Sequence, residues 1–285
     1  MTASGILERF EAVGDPVPLV FDSPHSGDIY PADFGSMLPR EMLRLGWDAH
    51  VDELFESAPD SGATLIVARF PRTYIDANRS LADIDLGMLD GPWPDRAIPG
   101  AKTRTGKGLV WRTVGIDIPI YDRRLSPAEV RNRIETCWRP YHRAVTTALD
   151  AAHARFGGVW HVNCHSMPSR WSRRLPEGAD PVRSDFILGD RDGATCEPSF
   201  TAFVRETLAG MGYTVAVNDR LKGVEIVRRN GRPAENRHSL QIEINRARYM
   251  DETSFERNEG FDALKRDIGR LVAAISDHVR QRAGM

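Results

Sequence analysis

Apolar and polar positions along this chain switch repeatedly between a period of two and a period near 3.6, which predicts alternating strands and helices. The short run PLVFD (18–22) reads as a central strand. The following segment, LPREMLRLGWDAHVDELFESAPDSG, contains a helix, with Asp48 as its N-cap, Val51, Leu54 and Phe55 at i, i+3, i+4 spacing, and Gly62 as its stop. ATLIVARF (63–70) then reads as a second strand. Strand, helix, strand is the unit of a parallel sheet with its crossover helix.

From about 84 to 118 the periodicity dissolves into Gly, Pro and charge, and this stretch is read as a functional loop or lid. The clearest helix follows in SPAEVRNRIETCWRPYHRAVTTALDAAHARFGG. Ser126 caps it, Pro127 takes the first helical position, and Glu129 completes a capping box. Pro140 should kink it and Gly157 should end it. VWHVNC and SDFILGD (184–190) are strands, and EPSFTAFVRETLAGMG is a helix with Phe200, Phe203, Val204 and Leu208 on one side. YTVAVND is a strand, LKGVEIVRRNGRPAENRH a Gly- and Arg-rich loop, and SLQIEIN a strand. A terminal amphipathic helix carries Leu264, Ile268, Leu271, Val272 and Ile275 at helical spacing. No Gly- or Pro-rich linker separates two cores, so residues 1–285 are read as one α/β domain with a mixed, mostly parallel sheet.

Composition narrows the partners more than the fold. A formal net charge of −2 over 285 residues gives no electrostatic case for nucleic acid or an anionic membrane. Cys137, Cys164 and Cys196 are odd in number and far apart, which suits a reducing compartment and excludes a disulfide framework. The opening MTASGILERFEAVGD carries acids and no apolar h-region, and no apolar run approaches the roughly 20 residues that span a bilayer. A cytoplasmic location and a small-molecule partner are therefore expected; oligomeric state is not determined.

Three strand ends carry chemistry. His25 follows VPLVFDSP, His165 follows VWHVNC, and Glu243 lies in QIEIN. In open α/β sheets, ligands sit beyond the carboxyl ends of the strands. A catalytic zinc site takes three protein ligands of His and carboxylate type and leaves a position open. His25 and His165 are two candidates; Asp48 or Glu53 is the third, and His50 is a further ligand, a substrate contact or a partner of a ligand. Alternation places Gln241, Glu243 and Asn245 on one face of an apolar strand. A carboxylate there needs a partner or an acid–base role, and Glu243 is the candidate base. YIDANRS (74–80) offers Asn78 and Arg79, the latter able to grip a carboxylate through two parallel hydrogen bonds or to steady an oxyanion. Lys222, Arg228 and Arg246 are the other candidate cations for an acidic substrate.

Other chemistries fit poorly. There is no H-E-x-x-H and no G-x-S-x-G elbow. Cys164 and His165 are strand neighbours and point to opposite faces, so they do not form a nucleophile–base pair. GDRDG is too short for an EF-hand loop.

Eight segments fall in order across nearly the whole chain: SPHSG (23–27), WDAHVDELF (47–55), YIDANRS (74–80), WRPYH (138–142), NCHSM (163–167), FILGDRDGATCEP (186–198), LKGVEIVR (221–228) and LQIEINRARYM (240–250). Together they resemble the N-formylglutamate amidohydrolases. The resemblance implies a three-layer α/β fold similar to zinc carboxypeptidases and phosphorylase/hydrolase-like enzymes. It implies one divalent metal, Zn2+ foremost, on two histidines and a carboxylate, with a glutamate as base. Matched onto this chain, these are His25, Asp48, His165 and Glu243. The implied reaction is hydrolysis of N-formyl-L-glutamate to formate and glutamate, a last step of histidine degradation. One departure stands out: the family pattern K-G-G-x-I-T-R reads here as Lys222 to Arg228 with Glu225 inside it, a negative charge near an acidic substrate.

Overall fold

The structure is a computed structural model and describes residues 5–170 and 183–285. Residues 1–4 of the opening stretch read for a targeting signal lie outside the described residues.

In chain order the elements are β1 (Leu7–Phe10), β2 (Leu19–Ser23), α1 (Arg40–Leu43), α2 (Val51–Leu54), β3 (Thr64–Ala68), α3 (Ala101–Arg104), β4 (Thr113–Val114), β5 (Ile118–Pro119) and α4 (Pro127–Arg133). There follow α5 (Arg139–Phe156), β6 (Val159–Met167), β7 (Phe186–Gly189), α6 (Pro198–Gly210), β8 (Val215–Val217), α7 (Glu225–Asn230), β9 (Arg237–Asn245) and α8 (Phe261–Arg282). Among the described residues a seven-stranded sheet runs in the order β1-β3-β2-β6-β9-β7-β8, and β4 and β5 form a separate pair. β2 with β6, β6 with β9 and β7 with β8 are parallel, and β7 with β9 is antiparallel, so the sheet is mixed. No helix among the described residues is long and apolar enough to cross a membrane.

The chain gathers into two compact units. One comprises the described parts of Met1–Arg9, Pro24–Trp47 and Ile66–Thr146; the other comprises Phe10–Ser23, Asp48–Leu65 and the described parts of Thr147–Met285.

The first unit is organised around a buried arginine. Arg133, 1% exposed, donates to the carbonyls of Tyr74 at 3.0 Å and Phe34 at 3.1 Å and to the Tyr121 hydroxyl at 2.7 Å. Its guanidinium also lies 4.2 Å from the Tyr74 ring centroid. Hydrogen bonds and ring faces together replace the water that a buried cation loses. Arg133 ends α4, whose start is the expected capping box: Ser126 accepts from the Glu129 amide, and the Glu129 carboxylate accepts from the Ser126 amide. The discontinuity expected at Pro140 takes the form of a π-helical turn, Ile134–Trp138, just before it. Gly157 ends α5 with φ +74°.

The second unit is built on β2, β6, β9, β7 and β8. Every residue of β6 is buried, as are eight of nine in β9. Register sorts their side chains into two unlike faces, because partners in adjacent strands project to the same side. Leu19, Phe21, Trp160, Val162, Leu240, Ile242 and Ile244 share one face. Asp22, His161, Asn163, His165, Ser239, Gln241, Glu243 and Asn245 share the other. A Cβ on Gly189, opposite Gln241 on the polar face, would come within 2.7 Å of the Gly223 amide nitrogen. The 221–223 backbone therefore passes directly over that face.

Several sequence expectations are corrected. The helix read from Asp48 to Gly62 is a single turn, α2, followed by a 3-10 turn at Pro59–Ser61, and a further single turn, α1, precedes it. The N-cap of α2 is His50, held at φ 61°, rather than Asp48, whose carboxylate takes tertiary partners instead. The 84–118 segment is anchored: Leu109, Val110, Trp111 and Val114 are buried, and α3 and the β4–β5 pair lie within it. The 221–238 loop contains α7, whose Ile226 and Val227 are buried. β6 runs three residues beyond the apolar run, so His165 lies inside the strand rather than at its end. β1 was not anticipated: Leu7 is half-buried and the rest of LERF is exposed, so it carries no alternating buried face.

Replacing Arg133 by Leu strands two buried carbonyls, and we expect a loss of about 3 kcal/mol in denaturant unfolding. Arg131→Leu, on the exposed side of the same helix, should change stability by less than about 0.5 kcal/mol.

Candidate metal centre

The polar face of the second unit gathers several of the candidate residues. Parallel pairing sets His165 beside Glu243 and Asn163 beside Gln241. His165 has both ring nitrogens engaged: Nε2 lies 2.7 Å from Asn163 Oδ1, and Nδ1 lies 3.2 Å from Asp48 Oδ2. Asp48 is 1% exposed. Its Oδ1 accepts from Arg246 Nη2 at 2.8 Å, and its Oδ2 accepts from the Ser166 amide at 3.4 Å. Arg246 Nε also donates to Ser166 Oγ at 3.0 Å. One oxygen of Asp48 thus faces a fixed cation, and the other faces the His165 ring. Gln241 Nε2 donates to Glu243 Oε1 at 2.9 Å, which fixes the plane of that carboxylate.

The first unit carries His25, two residues past the end of β2 and 1% exposed. Its Nε2 lies 2.7 Å from Asp76 Oδ1. Asp76 is fully buried and also accepts from the Asn78 amide at 2.9 Å, Arg72 Nη2 at 3.0 Å and Trp111 Nε1 at 3.1 Å. Burial pushes its carboxyl up, but the Arg72 and Arg79 guanidiniums and His25 outweigh this and hold it well below the ordinary carboxylate value. An ionised Asp76 makes Nε2 of His25 the protonated nitrogen and leaves Nδ1 as its ligand atom.

Within the second unit Asp48 Oδ2 and His165 Nδ1 lie 3.2 Å apart, and within the first His25 offers Nδ1. The set fits a divalent cation on its own chemistry. Two imidazoles and one carboxylate are ligands of the type that hold catalytic zinc, with bonds of about 2 Å. Each imidazole has its far nitrogen on an oxygen acceptor, the arrangement that orients metal-binding histidines.

The remaining candidates are placed as follows. Glu53 pairs with His50 Nδ1 at 2.8 Å and with Arg257. His50 Nε2 reaches the Phe255 carbonyl at 3.0 Å, and burial pulls the ring's pKa down. Arg79, 6% exposed, donates from Nε to the Lys107 carbonyl and from Nη1 to the Asn78 carbonyl. Arg246 is committed to Asp48 and Ser166, and Lys222 to Asp192. Arg228 binds Glu225 Oε2 through Nε at 3.0 Å and Nη2 at 2.7 Å, so the Glu225 charge noted in the sequence is neutralised within α7. Burial raises the Cys164 thiol well above its ordinary value, against a thiolate role.

Sequence reasoning missed four residues of this constellation: Asp22, Asn163 and Gln241, and Asp76 as a partner of His25. The available signal was polarity inside buried strands. Asp22 and Asn163 interrupt apolar runs, and Gln241 alternates in phase with Glu243.

Comparison with known proteins follows the same lines. Residues 17–250 match the family model described as N-formylglutamate amidohydrolase. The N-formylglutamate deformylase of Pseudomonas aeruginosa is 30% identical over 242 residues, 83% of this chain and 83% of that protein. The N-formylglutamate deformylase of Pseudomonas putida is 31% identical over 243 residues, again 83% of each. The crystal structure of N-formylglutamate amidohydrolase from Ralstonia eutropha JMP134 is 50% identical, covers 98% of this chain and 99% of its own, and superposes with a TM-score of 0.92. With polar residues buried at matching motifs and the match running through all of them, this chain belongs to the N-formylglutamate amidohydrolase family.

Proposed function

We propose that this chain hydrolyses the N-acyl amide of a small acidic amino acid, foremost N-formyl-L-glutamate, to formate and L-glutamate, with a divalent metal held by His25, Asp48 and His165. The observation that carries this reading is the buried Asp48–His165 pair, Oδ2 to Nδ1 at 3.2 Å, together with the register that sets Glu243 beside His165. The deformylase relatives supply the substrate class. When bound, a divalent cation such as Zn2+ supplies Lewis acidity and activates water at neutral pH.

The chain's own residues do the rest. Glu243 accepts a proton as a water oxygen bonds to the formyl carbon. It delivers that proton to the amide nitrogen as the carbon–nitrogen bond breaks, and formate and the amine leave. Gln241 holds the Glu243 carboxylate in one orientation throughout. Arg246 holds the Asp48 carboxylate in place. Arg79 is assigned the anionic end of the substrate or the oxyanion. Its Nη2 has no hydrogen-bond partner among the described residues, whereas Arg228 and Lys222 are spent on Glu225 and Asp192. Asn78, beside Arg79, is the neighbouring polar contact, and His50 serves α2 and the Phe255 backbone.

Purified protein should carry about one divalent ion per chain by elemental analysis. A chelator should abolish formate release from N-formylglutamate, and added Zn2+ should restore it. Retention of full activity without metal sinks the reading. His165→Ala should lose most of the ion. Glu243→Gln should keep the ion yet lower kcat by about 10²–10⁴-fold; a fully active variant would remove Glu243 as the base. N-formyl-aspartate and N-acetyl-glutamate, run beside N-formyl-glutamate, decide the acyl and acid preference.

A further inference from the structure

One buried atom on the polar face of β9 is unanswered. Gln241, 1% exposed, donates from Nε2 to Glu243 Oε1 at 2.9 Å, yet its own Oε1 is buried with no hydrogen-bond partner among the described residues. Its neighbours are otherwise engaged. Ser239 Oγ lies 2.8 Å from His161 Nδ1, and Asn245 Oδ1 accepts from the Ala247 amide at 3.1 Å. Asn163, opposite on β6, donates from Nδ2 to Asp22 Oδ1 at 2.7 Å and has its oxygen 2.7 Å from His165 Nε2. Gly189, opposite on β7, has no side chain to offer. A buried acceptor without a donor is costly, and an apolar side chain of the same shape would avoid that cost. The orphaned oxygen therefore points to a donor that arrives with a ligand.

We propose that Gln241 Oε1 accepts the N–H of the scissile amide, which makes Gln241 a catalytic residue that selects amides whose nitrogen carries a hydrogen. The inference rests on the hydrolase reading above and deepens it. A carboxylate acting as base is ionised, and its oxygens then only accept hydrogen bonds. Glu243 therefore draws the NH2 end of the Gln241 amide toward itself and leaves the carbonyl oxygen as the free end. Oε1 shares its carbon with Nε2, so it lies within about 5.5 Å of Glu243 Oε1. A nitrogen making hydrogen bonds of about 2.9 Å to both acceptors spans up to about 5.8 Å, so one nitrogen can reach both. In the reaction, Glu243 passes the proton taken from water to that nitrogen, the carbon–nitrogen electron pair stays on nitrogen, and the carbon keeps the water's oxygen as formate. The nitrogen then holds two hydrogens, its original one toward Gln241 and the new one toward Glu243. As it gains positive character its N–H becomes a stronger donor, so the bond to Oε1 is strongest while the amine departs.

The test compares N-formyl-L-glutamate with its N-methyl analogue, N-formyl-N-methyl-L-glutamate, which lacks the N–H. Wild-type protein should prefer the unmethylated amide by about 10²-fold or more in kcat/KM. Gln241→Met keeps the length of the side chain and removes the acceptor. It should slow both substrates, because Glu243 loses its orienting donor, and it should also shrink the preference for N–H by at least about 10-fold. A residue that only orients Glu243 would slow both substrates alike, so a preference unchanged in Gln241→Met overturns the proposal, as does a wild-type enzyme that hydrolyses the two amides equally well. In a crystal of the wild-type complex with L-glutamate, the amine should lie within about 3.2 Å of Gln241 Oε1. A water on Oε1 with the amine elsewhere overturns the proposal, and this complex decides if Gln241→Met fails to fold. Wild-type protein that cleaves no N-acyl acidic amino acid defeats the hydrolase reading and this inference with it, an outcome distinct from an active enzyme indifferent to the N–H.

Discussion

The parallel pairing of β6 with β9 is the constraint from which the second unit's chemistry follows. Its register aligns Asn163 with Gln241 and His165 with Glu243, and the pleat sends all four to one side. Both faces of these strands are buried, so neither face can leave its polar groups to water. The apolar face needs only shape. The polar face needs partners for its members, and it supplies most of them in a row in which Asp22, Asn163 and His165, and Gln241 Nε2 and Glu243, answer one another. A slip of one residue would exchange the faces and bury those groups among Leu240, Ile242 and Ile244 with no partners.

Two buried carboxylates carry the electrostatics, each in its own unit, and both are managed by arginine. Asp76 collects Arg72, the Trp111 indole, the Asn78 amide and His25. Asp48 collects Arg246, the Ser166 amide and His165. In each case a permanent cation pairs with the acid; Asp76, whose carboxyl is held well below its ordinary value, in turn sets the His25 proton on Nε2. A buried carboxylate without its arginine would tend to neutralise instead. Arg72 and Arg246 thus serve the protein's own acids.

The same logic resolves the departure in the 221–228 segment. Glu225 looks, in a linear reading, like a charge placed against an acidic ligand. Folded, it is the first residue of α7 and is bound by Arg228 one turn on, so the pair presents little net charge. The motif position has changed its residue, and the nearby cation is thereby committed.

The amino-acid sequence by itself determined what depends on neighbours along the chain. Periodicity located β2, β3, β6, β7, β8, β9 and α8, and the Ser126–Glu129 capping box and Gly157 set the bounds of the long helical segment. It also offered His25, His165 and Glu243 as candidates, since these side chains interrupt or end apolar runs, and Asp48 or Glu53 near the start of the following helix. Only the tertiary structure decided how those candidates are supported and aimed. That Asp76 stands behind His25, that Asn163 and Asp22 stand behind His165, and that Arg246 is bound to Asp48 all depend on contacts between segments distant in sequence. The misread stretches, 48–62, 84–118 and 221–238, share that cause: their conformation is set by tertiary burial of a few side chains and by a left-handed residue such as His50, which local propensity does not encode.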